Sequence, residues 1–265
     1  MAKPVVVITG ASKGIGLAVA RSLLEEHNAI VVALSRTRTS DLDKLLQANT
    51  TSLLTIQCDV TDEEALTKAI SLAEKTYQHI DGLILNAGTL DPLGRIDNGD
   101  ISLDRWKQHF DVNFFSLVTA LRVSLPALRK SNPGRVIFIS SGAATGNIPG
   151  WGAYNASKAA MNSLSRTLAA EERGIVSLAL APGKVDTDMQ GILRDSGAAH
   201  MAEADHQIFV DAYEQGTLVN PYDVGYVIAG LSLGAPLSLS GKFVRWDTDE
   251  CKDFRRPRVH EPPSI

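Results

Sequence analysis

The sequence predicts an α/β fold, a single-domain Rossmann fold in which a doubly wound parallel sheet of about seven strands has helices on both faces. Short apolar runs alternate along the chain with longer stretches that have apolar residues at helical spacing. The 265 residues are 44% hydrophobic, which is enough to bury a large core. A glycine-rich turn follows the first apolar run. Because the alternation continues without a linker or an internal repeat, one domain over residues 1–265 is favoured over two.

The first half of the chain is predicted to contain four strands. Continuous apolar runs such as Val5 to Ile8 are typical of strands that are buried on both faces of a parallel sheet. The spacing of Ile15, Val19 and Leu23 predicts a helix over roughly 14–27. Asp62 begins a later helix with an acidic first turn, where the helix dipole favours negative charge. The four strands are expected at residues 5–8, 30–34, 53–56 and 81–85.

The second half is predicted to continue the alternation, with two irregular segments. Residues 183–220 have broken periodicity and follow a strand, so we expect them to form the substrate-loop region. The tail over about 252–265 is rich in Arg and Pro and is expected to be loosely ordered. The expected elements are a long helix over roughly 102–130, a strand at 135–140, a helix over about 153–172, a strand at 176–181, a helix that begins at Pro221 after an Asn220 cap, and a last strand at 242–246.

Composition and charge exclude several classes of protein. The 26 Lys and Arg residues against 30 Asp and Glu give a formal charge of −4, and without basic runs this argues against nucleic acid as a partner. Cys58 and Cys251 are too few for a disulfide framework or a structural zinc site. No apolar stretch reaches ~18 residues and no secretory signal is visible, so we expect a cytoplasmic protein without a membrane span. The six histidines show no metal-ligand spacing, so no metal is expected, and His200 and His206 are interpreted as surface residues.

The turn after the first strand is a candidate phosphate site. It runs from Thr9 to Gly16 and carries glycines at positions 10, 14 and 16. Glycine permits a tight turn and the close approach of a phosphate, and the N-terminus of the following helix offers free N–H groups and a positive dipole to an anion. The spacing differs from the GxGxxG of many dinucleotide-binding folds. A tight connection without a ligand is the alternative interpretation.

The end of the second strand bears on the choice of cofactor. An acidic residue there would accept hydrogen bonds from the ribose 2′-hydroxyl of NAD. This sequence instead has Ser35-Arg36-Thr37-Arg38, and Arg36 can pair with a 2′-phosphate, with Lys13 of the first turn nearby. The pattern therefore favours NADP or NADPH. Alternatively, both cations are solvated surface residues, as Lys and Arg commonly are.

Three polar residues in the second half form a candidate catalytic set. Ser141 follows the fifth strand, and Tyr154 and Lys158 lie four residues apart on the next helix, which puts them on one face. A phenol has an unperturbed pKa of about 10, and a nearby ammonium should lower that pKa. The phenol would then exchange a proton with a substrate oxygen that the Ser141 hydroxyl holds. Taken singly, each of the three residues has an ordinary structural interpretation.

Taken together, these motifs resemble those of the short-chain dehydrogenase/reductase family. The resemblance spans about residues 4–246. It implies a Rossmann fold, a nicotinamide cofactor and a small-molecule carbonyl substrate. The motifs that carry it occur in order as Thr9 to Gly16, Cys58-Asp59-Val60, Asn86-Ala87-Gly88, Asn113, Ser141 with Tyr154 and Lys158, and Pro182-Gly183 followed by Thr187.

The resemblance also implies roles for individual residues. Tyr154 would be the general acid, and Ser141 would position the carbonyl. Lys158 would bind the nicotinamide ribose, and Asn113 would hold a helix distortion and a water that links Lys158 to solvent. The implied catalytic residues are Asn113, Ser141, Tyr154 and Lys158. The implied cofactor-binding residues are Gly10, Ser12, Lys13, Gly14, Ile15, Gly16, Arg36, Asp59, Val60, Asn86, Ala87, Gly88, Asn113, Tyr154, Lys158, Pro182, Gly183, Val185 and Thr187.

The residues around the catalytic set resemble fungal members of the benzil reductase type and, more distantly, sepiapterin reductases. We therefore predict NADPH-dependent reduction of a small hydrophobic ketone or α-diketone. An apolar lid over 183–220 would suit such a substrate, although ordinary core packing of that segment is an equal alternative. The residues expected to contact the substrate are Ser141, Trp151, Tyr154 and Met189.

Two other functions remain open from the sequence. One is the reduction of a pterin side chain, in which Asp247 or Asp249 would meet a polar group of the substrate. The other is a protein that senses NADPH without turnover. The resemblance further implies a homodimer or homotetramer that forms through the helices over 102–130 and 153–172. Small residues that would let these helices approach closely are Ala159, Ala160, Ala169 and Ala170.

Overall fold

The computed structural model describes residues 2–97 and 99–257, and across them seven strands form one parallel sheet. The strand order is β3-β2-β1-β4-β5-β6-β7. This arrangement confirms the predicted doubly wound parallel sheet with helices on both sides. The strands are β1 (Val5–Thr9), β2 (Ile30–Ser35), β3 (Leu53–Gln57), β4 (Gly82–Leu85), β5 (Gly134–Ile139), β6 (Ile175–Ala181) and β7 (Phe243–Arg245).

Helices cover both faces of the sheet and bury two apolar layers. One layer packs α1, α2 and α9 against the sheet, and the other packs α3, α5 and α6. The strands alternate their side chains between the two layers, which is why they are apolar on both faces. The α-helices are α1 (Gly14–Glu25), α2 (Ser40–Ala48), α3 (Glu63–Tyr77), α4 (Leu103–Phe110), α5 (Ser116–Leu128), α6 (Gly152–Glu171), α7 (Asp188–Ser196), α8 (Glu203–Glu214) and α9 (Pro221–Gly234).

Two helix starts that the sequence predicted are capped by side chains, and the Asn220 cap was itself expected. The Asp62 carboxylate accepts a hydrogen bond from the backbone N–H of Ala65 at 2.9 Å, in front of an acidic first turn of α3. The Asn220 side chain accepts from the N–H of Tyr222 at 2.9 Å, and Pro221 occupies the first turn of α9. Each cap satisfies a backbone donor that the helix itself leaves unpaired.

The strand order reverses direction at β1, which pairs with β2 on one side and with β4 on the other. The connection from β3 therefore crosses over β2 and β1 to reach β4. The loops after β1 and β4 separate at this point and leave a crevice outside the carboxyl ends of the strands. The candidate site lies there.

The long helix predicted over 102–130 is interrupted around Asn113, where the family resemblance implied a distortion. A π-helical segment, Asp111–Phe115, separates α4 from α5. A π turn inserts a residue into the helix without changing its apolar composition, so the sequence pattern continues through it. The whole rod, Leu103–Leu128, has the length and mean hydropathy of a membrane-crossing helix, but 44% of its apolar window is buried inside the molecule. Because α5 packs on α3 and the π segment packs on α6, we interpret the rod as an amphipathic core helix.

The two segments that lacked clear periodicity contain regular structure. Residues 183–220 hold α7 and α8, and a bridge between Val185 and Val219 joins the ends of this region. The expectation of a loose tail from 252 is wrong at its start, because Asp249–Phe254 forms a 3-10 helix with Cys251 buried. Arg256, just after this helix, forms an ion pair with Glu26 at 2.9 Å. Residues 258–265 of the predicted tail lie outside the described residues.

Candidate active site

A cleft of about 1430 Å³ opens at the carboxyl ends of the strands. It brings together most of the residues that the sequence singled out. Asn113 is fully buried behind the cleft wall, and Gly16 is buried in the turn. The predicted residues that line the cleft are Gly10, Ser12, Lys13, Gly14, Ile15, Arg36, Asp59, Val60, Asn86, Ala87, Gly88, Ser141, Trp151, Tyr154, Lys158, Pro182, Gly183, Val185, Thr187 and Met189.

The glycine-rich turn has the shape that an anion site needs. Gly10 and Gly14 have φ values of +68° and +54°, which side chains disfavour. Lys13 precedes α1 in an extended conformation, and no side chain caps the helix. The first N–H groups of α1 are therefore available to a phosphate. Gly16 does not line the cleft as expected of a phosphate-binding residue. A glycine is needed there for packing, because a Cβ would lie 2.2 Å from the Gly10 carbonyl oxygen.

Hydrogen bonds to the loop after β4 fix this turn. The Asn86 side-chain amide donates to the carbonyl oxygens of Thr9 and Gly10, each at 3.0 Å. The Thr9 hydroxyl accepts from the backbone N–H groups of Asn86 and Ala87, each at 3.1 Å. The family resemblance implies that Asn86 lies beside the cofactor, but it implies no role for the Thr9 side chain. The only available signal was a hydroxyl at the end of a buried strand.

Two basic residues, Lys13 and Arg36, line the cleft, and Arg36 lies at the end of β2, where a 2′-phosphate is expected. Arg36 is exposed directly after β2, and its charge contributes to lowering the pKa of the Asp59 carboxyl, after the larger effect of the Thr61 backbone N–H. Lys13 pairs with Asp188 at 2.8 Å, in an exposed ion pair that joins the glycine-rich turn to the N-terminus of α7. Both cations therefore face the cleft, but Lys13 already has an anionic partner.

The candidate catalytic residues meet on the cleft wall. Tyr154 and Lys158 are 7% and 4% exposed on adjacent turns of α6. The Lys158 Nζ lies 5.5 Å from the centroid of the Tyr154 ring and donates to the Ile139 carbonyl oxygen at 2.7 Å. Ser141 follows β5, and its hydroxyl accepts from the backbone N–H of Ala143 at 3.1 Å. The loop after β5 and the start of α6 thus present their polar groups to one point.

Burial has the largest effect on the pKa values of Tyr154 and Lys158. It raises the pKa of the Tyr154 phenol above its usual 10, although a hydrogen bond with the Ser141 hydroxyl opposes the rise. It lowers the pKa of the Lys158 ammonium to about 8. The direction for Tyr154 is opposite to the sequence-based expectation, because desolvation outweighs the attraction of a neighbouring cation. At neutral pH the site therefore has a protonated phenol beside an ammonium.

A buried apolar cluster, here called the aromatic chamber, forms part of the cleft lining. The Trp151 ring stacks on the Phe209 ring at 5.5 Å between centroids and meets the Tyr154 ring edge-on at 5.6 Å. Residues from α7 and α8 close this chamber, and it is separate from the two layers that pack on the sheet. Its buried members are Leu90, Ala143, Trp151, Tyr154, Leu193, Met201 and Phe209.

Three polar residues that the sequence singled out differ from expectation. His200 lines the cleft, and His206 Nε2 lies 2.9 Å from the Arg194 carbonyl oxygen, so both are half-buried rather than surface residues. Asp247 pairs with Arg245 at 2.9 Å and therefore has a partner within the chain. Within residues 2–97 and 99–257, no group of three His, Cys, Asp or Glu side chains is arranged to hold a metal ion.

One residue next to the catalytic set was missed. His109 of α4 is 1% exposed and hydrogen-bonds Asn113, at 2.9 Å between Nε2 and Nδ2. The Asn113 Oδ1 accepts from the Thr89 N–H at 2.8 Å. A histidine inside a helix gave no signal in the sequence, because its importance depends on the π segment that brings Asn113 beside it.

The chain is similar to known proteins over most of its length. A family model described as short chain dehydrogenase matches residues 4–197. An uncharacterized oxidoreductase of Schizosaccharomyces pombe is 41% identical over 246 residues, which cover 92% of this chain and 97% of the relative. A benzil reductase ((S)-benzoin forming) of Saccharomyces cerevisiae is 34% identical over 254 residues, covering 92% and 96%. The crystal structure of a short-chain dehydrogenase/reductase from Saccharomyces cerevisiae has a TM-score of 0.90 at 33% identity, covering 96% of this chain and 100% of that chain.

Proposed function

The chain belongs to the short-chain dehydrogenase/reductase family, and we propose that within it the protein is an NADPH-dependent reductase of small hydrophobic ketones and α-diketones. Membership makes it an oxidoreductase that binds NAD or NADP and acts on small molecules. The observation that carries the proposal is the buried Tyr154, set between the Ser141 hydroxyl and the Lys158 ammonium where the cleft meets the aromatic chamber.

The residues present fit a dinucleotide. The turn from Gly10 to Gly16 and the uncapped start of α1 would hold the pyrophosphate. Asp59 and Val60 would contact the adenine, and Asn86 to Gly88 would lie beside the adenosine ribose. Lys158 would bind the nicotinamide ribose. The strand end and loop after β6 would hold the nicotinamide through Pro182, Gly183, Val185 and Thr187.

The chemistry then requires a proton at the substrate oxygen. When bound, the nicotinamide supplies a hydride to the carbonyl carbon. Tyr154 donates its phenolic proton to the carbonyl oxygen, and its raised pKa keeps that proton in place at neutral pH. The Ser141 hydroxyl donates a hydrogen bond to the same oxygen and orients it. The Lys158 ammonium stabilises the negative charge left on Tyr154.

The preference for NADPH rests on charge at the end of β2. Arg36 is exposed at the cleft wall, and Ser35-Arg36-Thr37-Arg38 contains no acid that would repel a phosphate. Lys13 would leave Asp188 to pair with the 2′-phosphate, since exposed ion pairs of this kind contribute little stability. Planar guanidinium groups bind phosphate in two-point contacts, so Arg36 is the main determinant in this proposal.

The substrate class is inferred from the chamber. Its buried walls are almost entirely apolar, and the stacked Trp151 and Phe209 rings would pack against a phenyl group of the substrate. A relative named for benzil reduction supports an aromatic α-diketone. The test is a screen of carbonyl compounds with NADPH, comparing benzil with short aliphatic ketones and with sepiapterin. Turnover of benzil above the other two supports the proposal, and turnover of none of them contradicts it.

We also propose that the protein assembles as a homodimer or homotetramer and that its chain is a single domain. Family members are commonly oligomeric. Leu103 and Phe115 of the long rod are 70% and 55% exposed, which is unusual for large apolar side chains. Ala159 and Ala170 are exposed on α6 and would let a second copy approach. Light scattering of the purified protein tests the assembly, and a monomer at micromolar concentration contradicts it.

A further inference from the structure

His109 links the π segment, the loop after β4 and the catalytic helix. Its Nδ1 lies 2.8 Å from the backbone carbonyl oxygen of Asp91, in the loop after β4. Its Nε2 lies 2.9 Å from the Asn113 Nδ2 and 3.0 Å from the Ser157 Oγ on α6. Its ring meets the Tyr154 ring edge-on, with 6.2 Å between centroids. One buried side chain therefore touches three separate parts of the site.

These contacts assign the proton of the imidazole. A carbonyl oxygen only accepts hydrogen bonds, so the Nδ1 facing Asp91 must carry the proton. An amide nitrogen only donates, so the Nε2 facing Asn113 must be the acceptor. The neutral Nδ1–H tautomer satisfies the contacts to Asp91 and Asn113 together.

The histidine completes the bonding of the Asn113 side chain. The Asn113 Oδ1 accepts from the Thr89 N–H at 2.8 Å, and its Nδ2 donates to the Thr89 carbonyl oxygen at 2.9 Å. The second proton of Nδ2 goes to His109. Asn113 is thereby held in one orientation at the centre of the π segment, opposite the catalytic helix.

A second proton on His109 would break this arrangement. Nε2–H and the Asn113 amide would then face each other as two donors, and Nε2–H would turn to the Ser157 oxygen instead. Ser157 accepts it readily, because its own proton can go to the Tyr154 carbonyl oxygen at 3.0 Å. The Asn113 amide would lose its acceptor at 2.9 Å and keep only the longer contact to the Ser157 Oγ at 3.4 Å, and the π segment would no longer be tied to α6 through the histidine.

We propose that neutral His109 is a positioning residue for carbonyl reduction, which holds Asn113 and the π segment in register with the helix that carries Tyr154 and Lys158. The inference rests on the proposed function. His109 does not itself touch the substrate oxygen in this account. It acts by keeping Asn113 fixed, and turnover should depend on its remaining neutral.

Two substitutions separate the hydrogen bonds from the packing. His109→Phe keeps a ring and removes all three bonds, so kcat for benzil should fall about 10- to 100-fold while the Kd of NADPH changes by less than about 2-fold. His109→Gln retains one donor and one acceptor and should recover kcat to within about 3-fold of the wild type. Wild-type kcat in a folded His109→Phe variant overturns the proposal.

The pH profile gives a readout that a structural role would not change, and it decides even where His109→Phe fails to fold. The groups that face His109 are Lys158 and Tyr154 of α6 and Asp91, whose carboxylate pairs with Arg105. Burial and the charge of Lys158 lower the pKa of His109 below its usual 6.5. The kcat of the wild type should therefore fall as the pH drops through this lowered pKa and His109 becomes protonated. The His109→Gln variant should lack this fall. An unchanged acidic fall in His109→Gln overturns the proposal.

A control variant and an NMR measurement distinguish a failure of this inference from a failure of the proposed function. Ser165→Ala is the control: it removes a buried hydrogen bond between α6 and Ser177 of β6, remote from the histidine, and should leave kcat and its pH profile unchanged. Nitrogen NMR of His109 should show the Nδ1–H tautomer at neutral pH whether or not any ketone is turned over. An Nε2–H tautomer overturns the inference, whereas absent turnover with the Nδ1–H tautomer contradicts only the proposed function.

Discussion

The Lys158 ammonium lies 5.5 Å from the centroid of the Tyr154 ring, and both side chains are almost completely buried. Burial raises the pKa of the phenol and lowers that of the ammonium to about 8. The two groups therefore keep their protons at neutral pH, although burying the charge of Lys158 costs free energy. A protonated phenol is the form that a reductase needs when it donates to a carbonyl oxygen.

The buried charge of Lys158 is expected to lower the free energy of unfolding although turnover requires it. Lys158→Met should abolish turnover. It should also raise the free energy of unfolding of the cofactor-free protein at pH 7 by up to about 3 kcal/mol, because burial lowers the pKa of Lys158 from 10.5 to about 8 and this shift corresponds to a destabilisation of about that size. The sign follows from proton uptake: between pH 8 and 10.5 the unfolded chain binds more protons at this residue, so the wild type gains stability as the pH rises. Urea unfolding of both proteins should show their difference shrinking across that range. A less stable Lys158→Met variant contradicts the prediction.

The choice of cofactor depends on Arg36. Arg36→Asp should lower kcat/KM for NADPH by at least about 10-fold and leave or improve that for NADH, because the carboxylate repels a 2′-phosphate and accepts from a 2′-hydroxyl. Arg38→Asp is the matched control, since Arg38 pairs with Asp43 and does not line the cleft. Steady-state kinetics with both cofactors measure the ratio. An NADPH/NADH ratio that Arg36→Asp leaves unchanged would show that another residue sets the preference.

Close packing in the glycine-rich turn makes Gly16 sensitive. A Cβ at this position would lie 2.2 Å from the Gly10 carbonyl oxygen and 2.6 Å from the Asn86 Nδ2. Gly16→Ala should therefore cost about 1–3 kcal/mol of stability and weaken NADPH binding at least about 10-fold. Gly174→Ala has open space around its Cβ and should behave as the wild type in thermal unfolding and cofactor titration. Equal NADPH affinity in the two variants is the contrary result.

The aromatic chamber should govern the affinity for aromatic substrates. Phe209→Ala removes the ring that stacks on Trp151, so the KM for benzil should rise about 10-fold while the KM for NADPH stays the same. Tyr213→Ala, on the same helix but 56% exposed, is the control and should leave both values unchanged. A benzil KM in Phe209→Ala that matches the control would place the substrate elsewhere in the cleft.

Local patterns predicted the fold and the main groups of the site. Buried runs such as Val5 to Ile8 signal strands of a parallel sheet, and the sheet they form is confirmed. The family resemblance built on Tyr154 and Lys158 is likewise confirmed. These features depend on neighbouring residues in the chain, so periodicity and motif spacing reveal them. The roles of the individual site residues stay predictions.

Features that depend on distant contacts were not predictable. The apolar pattern does not reveal the π segment Asp111–Phe115, and only the family resemblance implied a helix distortion at Asn113. The raised pKa of Tyr154 comes from the burial that the fold creates, which outweighs the neighbouring charge visible in the sequence. The hydrogen-bond network of His109 likewise becomes visible only in three dimensions.

The most direct test of the account compares benzil reduction by the wild type and by Tyr154→Phe. Both proteins should bind NADPH with the same Kd by fluorescence titration, because the substitution removes one hydroxyl and keeps the ring. The wild type should consume NADPH and form benzoin, and Tyr154→Phe should lose at least about 100-fold in kcat/KM, as expected for a general acid. Full activity of Tyr154→Phe at saturating NADPH, or no benzil turnover by the wild type, would contradict the account.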